Sequence, residues 1–127
     1  MALYVDGFVI PVPKKNLKSY LKMARLGGRV WKEHGALEVF ECFGDDLHPK
    51  FGASFLRSIK VKPGETVVFS WILFKSRASR DRVNAKVMKD KRMAAAPQPM
   101  PFDFKRMTYG GFTVGSDPRA DGSAEAG

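Results

Sequence analysis

Two carboxylates stand inside otherwise apolar stretches of this chain: Asp6 in Leu-Tyr-Val-Asp-Gly-Phe-Val-Ile, and Glu41 in Leu-Glu-Val-Phe-Glu-Cys-Phe. An unpaired charge among apolar neighbours is costly. Each is therefore either neutralised by a cation or put to use as a proton acceptor or ligand-orienting group. For Asp6 the candidate cations are Lys105 and Arg106, near the other end of the sequence. Strand side chains alternate faces, so Asp6 and Glu41 can point into one cavity. Trp71 and Tyr109 are large aromatics with one polar tip, suited to the wall of a binding site and equally to a core or a dimer interface. The candidate site is thus Asp6, Glu41 and Tyr109 as catalytic groups, with Trp71 and Arg106 as ligand-binding groups.

Other chemistries find little support. Cys42 is the single cysteine. That excludes an internal disulfide and a cysteine-rich zinc site, fits a reducing compartment, and reads as an inert buried thiol. His34 falls where a helix ends, a position that favours a cation. His48 lies beside Asp45 and Asp46, with spacing that matches no strong metal motif. Gly110-Gly111 lacks the spacing and the following helix of a phosphate loop. Neither a metal nor a cofactor is expected.

The elements that must position these groups follow from periodicity. Residues 3–12 read as a strand. From Lys14 to about His34 the period becomes helical: Leu17, Tyr20, Leu21, Ala24, Gly28 and Trp31 share one side, and Lys14, Lys15, Lys18, Lys22, Arg25, Arg29 and Lys32 form a basic stripe. Gly35 closes this helix. A second strand spans Ala36 to Phe43, a loop covers 44–54, and 55–61 is open between a short helix and an edge segment. Lys62-Pro63-Gly64-Glu65 is a turn. The third strand, Thr66 to Phe74, has Val67, Phe69, Trp71 and Leu73 on one face and Val68, Ile72 and Phe74 on the other. A second helix runs from Ser76 to about Met93, a proline-rich connector covers 94–101, and Arg106 to Val114 is the fourth strand. Tyr109, Gly111, Phe112 and Val114 echo Tyr4, Gly7, Phe8 and Val9, which predicts that the first and last strands lie side by side.

This order, β-α-β-β-α-β, predicts an α+β, ferredoxin-like sheet with two helices on one face. A third strand that is apolar on both faces requires cover for the other face as well, and a second copy packed sheet to sheet supplies it. Residues 1–114 form one domain, and 115–127 read as an unstructured tail.

The 127 residues carry 22 Lys and Arg against 13 Asp and Glu, a net charge of +9. Such a balance attracts anions of any kind. The second functional reading rests on it: a nucleic-acid (RNA) binding accessory protein using Lys18, Lys22, Arg25 and Arg29. No recognised nucleic-acid motif accompanies the stripe. The longest apolar run, Val67 to Phe74, is too short to cross a bilayer, and no leader pattern opens the chain, so a cytoplasmic protein without membrane attachment is expected.

The chain also resembles a bacterial family of unknown function, the YbaA-like proteins. The resemblance is carried by Val5-Asp6-Gly7-Phe8-Val9, Gly35-Ala36-Leu37, Glu41-Cys42, Val67-Val68-Phe69-Ser70-Trp71, Arg80-Asp81, Asn84, Lys86, Met88, Asp90 and Arg92-Met93. Its most specific part is Met100-Pro101-Phe102-Asp103, Lys105-Arg106-Met107 and Tyr109-Gly110-Gly111-Phe112. It implies a dimeric α+β barrel. Proteins sharing that barrel include cofactor-free monooxygenases and isomerases, with a small-molecule pocket between sheet and helices. An enzyme here would be of one of those kinds, an analogy at the level of fold. The expected function is therefore a homodimer that binds or converts a small, partly apolar molecule.

Overall fold

The computed structural model describes residues 2–94 and 99–120. Strand β1 (Tyr4–Pro13) leads through a 3-10 turn (Lys14–Asn16) into helix α1 (Leu17–His34). Strand β2 (Glu38–Phe43), the short helix α2 (Phe55–Ser58) and strand β3 (Glu65–Phe74) follow, then helix α3 (Arg77–Lys89), and strand β4 (Thr108–Thr113) closes the fold. The four strands form one antiparallel sheet in the order β2-β3-β1-β4. This is the ferredoxin-like arrangement. Short helix α2 resolves the ambiguity of residues 55–61. The pairing of the chain's two ends is also present, with Tyr4 opposite Thr113 and Phe8 opposite Tyr109.

Local chemistry explains the boundaries. Gly35 ends α1 at φ 123°, a left-handed conformation that side chains disfavour. Ser76 caps α3 by accepting a hydrogen bond from the Ser79 amide at 3.1 Å. Asn16, at the start of α1, donates its side-chain amide to the Pro101 carbonyl at 3.1 Å, tying the helix to the segment that enters β4. Gly111 permits a close approach, because a Cβ there would collide with the Tyr4 hydroxyl on the neighbouring strand.

Register assigns each side chain to a face. Tyr4, Asp6, Phe8, Ile10 and Val12 of β1 share the helix-covered face with Val68, Ser70, Ile72 and Phe74 of β3 and Val39 and Glu41 of β2. The core on that face is divided. One cluster gathers Tyr4, Val30, Ala36, Ile72, Phe74, Val83 and Val87; the other gathers Ile10, Val12, Tyr20, Val68 and Phe102. Phe8 touches both.

The opposite face is covered only in part: Pro11, Val67 and Leu73 on it are buried, and the short helix α2 meets β3. Phe40, Phe69 and Phe112 lie on it exposed, and Trp71 stacks on Phe40 with ring centroids 4.6 Å apart. Cys42 also lies on this face and is exposed, a correction to the buried thiol expected from its apolar neighbours. It belongs to an edge strand whose outward face nothing in the single chain covers. Of the expected tail, residues 121–127 lie outside the described residues; within 115–120 the Ala120 amide bonds to the Asp117 carbonyl at 2.9 Å and Arg119 donates to the Asp117 carboxylate at 3.1 Å.

Candidate functional site

Between the two core clusters lies a cavity of about 650 Å³. The sheet supplies its floor through Phe8, Ile10, Val39, Glu41, Ser70 and Ile72. Helix α1 supplies one wall through Tyr20, Met23, Ala24, Gly27 and Trp31, and Met93, Met100, Phe102 and Met107 supply another. Methionines fill irregular space adaptably, so this wall suits ligands of varied outline.

One carboxyl group enters this apolar space. Glu41 lies directly opposite Ser70 in the β2–β3 register, and the Ser70 hydroxyl donates to its Oε2. The Tyr20 hydroxyl, from the second turn of α1, donates to Oε1. Burial raises the Glu41 pKa above the usual 4.5, and the hydrogen bonds from Ser70 and Tyr20 offset part of that rise. Tyr20 is 3% exposed, and burial together with the adjacent carboxylate pushes its pKa far up, so its hydroxyl remains a donor. The result is a carboxylate with enhanced basicity, held in place by two hydroxyls and facing an apolar chamber.

The pKa direction makes a stability prediction. A glutamate with a raised folded pKa binds its proton more tightly in the native state than in the unfolded chain. Its stabilising contribution is full below pH 4.5 and is lost as pH rises through the folded value. Glu41→Gln removes that loss. Urea unfolding should show the variant gaining on the parent between about pH 4 and about pH 8. A stability difference that stays constant over that range would contradict the assignment.

Only Glu41 among the five expected site residues lines the cavity. Asp6 is on the same face but one register pair further along and two strands away, on the order of 12 Å by strand geometry. Its partner is neither Lys105 nor Arg106. Arg80 of α3 donates to Asp6 Oδ1 at 2.7 Å, and Asn84 approaches Oδ2 at 3.5 Å. The same Arg80 lies over the Tyr4 ring, 4.9 Å from its centroid. Asn84 in turn accepts from the Trp31 indole at 2.9 Å, so Asp6 sits in a clamp joining β1, α3 and α1. Arg106 falls in a 3-10 turn (Phe104–Arg106) before β4 and forms a two-pronged pair with Glu65 at 2.6 and 2.9 Å. Trp71 is on the uncovered face because odd-numbered β3 residues point away from the helices. Tyr109 is 69% exposed and lies flat against Phe8 on the outer strand, on the same face as the cavity but beyond Phe8 at the sheet edge. His34 bonds to Asp90 at 2.8 Å, linking the ends of α1 and α3 in place of capping its own helix.

Tyr20 and Ser70 are the site residues that sequence reasoning missed. The available signals were a hydroxyl on the apolar side of a helix and a serine at the centre of an apolar strand. Lys18, Lys22, Arg25 and Arg29 all stand exposed along α1. Lys22 and Arg29 reach the rim of the cavity. Among the described residues there is no group of three or more His, Cys, Asp or Glu side chains that could hold a metal. No described helix is long and apolar enough to cross a membrane.

The architecture is that of a ferredoxin-like α+β protein with a cavity between sheet and helices and one open sheet face. Comparison with known proteins gives the same class. The chain belongs to the family described as Protein of unknown function (DUF1428), whose model matches residues 3–104. It is 44% identical over 109 residues to the uncharacterized protein YbaA of Escherichia coli K12, covering 86% of this chain and 93% of that one, and the YbaA of Shigella flexneri matches equally. Among solved structures, a dimeric ferredoxin-like protein from an uncultured marine organism superposes with a TM-score of 0.59 at 10% identity, over 92% of this chain and 99% of its own. A Bacillus cereus protein described as a candidate antibiotic biosynthesis monooxygenase gives 0.56 at 12% identity, over 92% and 97% of the two chains. At such identities the likeness concerns fold alone.

Proposed function

We propose that this protein binds a small, partly apolar molecule in the cavity beneath α1 and that Glu41 exchanges a proton with it. The observation that carries this reading is the Tyr20–Glu41–Ser70 cluster: a carboxyl group of raised pKa, aligned by two hydroxyls, on the wall of a chamber whose lining is mostly apolar, with Lys22, Arg29 and Arg92 among its residues. Proton removal at one ligand atom and return at another is isomerase-like chemistry that needs no cofactor. Asp6, committed to Arg80, acts in this scheme as a structural residue, and Tyr109 borders the site only through Phe8.

The working unit is a homodimer formed by the open sheet faces. Phe40, Phe69, Trp71 and Phe112 make an apolar surface that one chain leaves in water, and a two-fold copy of the same patch is its natural complement. The dimeric description of one structural neighbour supports this assembly.

The second reading, RNA binding through Lys18, Lys22, Arg25 and Arg29, draws on the same exposed stripe. That stripe supplies charge, but no exposed aromatic side chain lies along α1 for base stacking.

The test of the cavity reading uses N-phenylnaphthylamine, a neutral dye that fluoresces when removed from water. Saturable binding is expected, together with a raised melting temperature. Met23→Trp, which fills the chamber from the α1 side, should abolish binding while leaving the circular dichroism spectrum unchanged. Absence of saturable binding by the parent protein would remove the proposal.

A further inference from the structure

A second opening, a cleft of about 480 Å³, lies between α1 and the edge strand β2. It shares Ala24, Gly28, Arg29, Val39 and Glu41 with the cavity, so the two are adjacent chambers with a common wall. The cleft is cationic: Arg25, Arg29 and Lys32 line it, against Glu33 and Glu41. Glu33 is already engaged with Arg92 at 2.6 Å, and Lys32 donates to the Leu37 carbonyl at 2.7 Å. Arg25 and Arg29, one helical turn apart, have no ion-pair partner among the described residues and are the cations left to meet a ligand.

The wall between the chambers has an unusual composition. Gly27 and Gly28 sit in the middle of an eighteen-residue helix, where glycine is less stable than alanine. Packing does not demand them. A Cβ at Gly27 would meet the Trp31 ring at 3.6 Å, and one at Gly28 would meet Val39 Cγ1 at 3.7 Å, both ordinary contacts. Gly28 lines both chambers. Gly28 faces Val39 of β2 across this wall, so its missing side chain keeps the partition between the chambers thin.

We infer that cavity and cleft form one binding path for an anion with an apolar body, its acidic group held by Arg25 and Arg29 and its body passing Gly28 into the chamber floored by Phe8 and Ile72. This rests on the cavity reading above and adds the ligand class to it. Guanidinium groups suit carboxylate, sulfonate or phosphate heads through paired hydrogen bonds. The basic stripe then has a specific use in its central turns, where Gly28 opens the way inward.

The test pairs two probes of the same aromatic body: anilinonaphthalene sulfonate, which carries an anionic group, and neutral N-phenylnaphthylamine. The sulfonate should bind at least about tenfold more tightly at low salt, the Arg25→Gln/Arg29→Gln double variant should lose that advantage, and Arg25→Gln, whose side chain lines only the cleft, should lose part of it while binding the neutral dye as before. Gly28→Leu should weaken both probes strongly with an unchanged circular dichroism spectrum. Should that variant fail to fold, Gly28→Ala should melt higher than the parent and bind both probes less tightly. Equal affinities for the two probes in the parent would overturn the anionic class while leaving the cavity reading intact. Full binding of the sulfonate by the double variant would likewise overturn it, and undiminished binding by the Gly28 variants would overturn the path. Failure of both probes to bind the parent would overturn the cavity reading and this inference together.

Discussion

Replacing Asp6 by alanine is expected to lower the unfolding free energy by about 3 kcal/mol, the usual consequence of removing one partner from a buried ion pair. Asp6 is 6% exposed, and its carboxylate is the anion that holds the Arg80 guanidinium against the Tyr4 ring. Without it, Arg80 keeps only Asp81, an exposed neighbour whose screened charge contributes little. The Asn84 amide also loses an acceptor, and with it part of the hold on Trp31. For a chain of this length the loss corresponds to a fall of about 10 °C in melting temperature. Asp6→Asn, which keeps hydrogen-bond acceptance, should lose less. The double change Asp6→Leu with Arg80→Met should recover much of the loss, because an apolar pair leaves no charge unpaired. A melting temperature for Asp6→Ala equal to that of the parent would show that the clamp contributes nothing.

Phe69→Lys is expected to convert the proposed dimer to monomers at micromolar concentration. Phe69 lies at the centre of the open sheet face, opposite Val9 on one side and Cys42 on the other, with the Phe40–Trp71 stack beside it. In a two-fold interface each substitution appears twice, so two lysines enter one apolar surface without a counter-charge. Within one chain the site is 45% exposed, so the variant should fold normally by itself. Light scattering should report twice the 14.2 kDa chain mass for the parent and the single mass for the variant. A parent protein of single mass, or a variant that remains double, would overturn the assembly.

The fold was legible because its signals are local. Alternation along Thr66 to Phe74 assigned Val67, Phe69, Trp71 and Leu73 to one face, and the register confirms that split. The likeness of Tyr109–Phe112 to Tyr4–Phe8 foretold the β1–β4 pairing. The site was less legible because it depends on long-range convergence. Alternation alone placed Trp71 on the face of Phe69, yet its chemistry suggested a pocket, and the helices proved to cover the other side. Arg106 was matched to Asp6 on the expectation of a longer β4. The chain instead turns at Phe104–Arg106, directs the guanidinium to Glu65, and leaves Arg80 from α3 to meet Asp6. Tyr20 and Ser70 are separated from Glu41 by 21 and 29 residues, and each reads separately as a core residue. Only the folding of α1 onto the β2–β3 pair makes them the two donors to one carboxylate.

The central claim is that the Glu41 chamber is a binding site, and the two tryptophans of the chain report on its two sides. Trp31 lines the chamber, whereas Trp71 lies on the open sheet face. Two-dimensional nitrogen–proton NMR during titration with N-phenylnaphthylamine should shift the Trp31 indole signal and the backbone amides of Gly28, Val39 and Ser70, and leave the Trp71 indole in place. Shifts confined to Trp71, Phe40 and Phe69, or no shifts at all, would contradict the account.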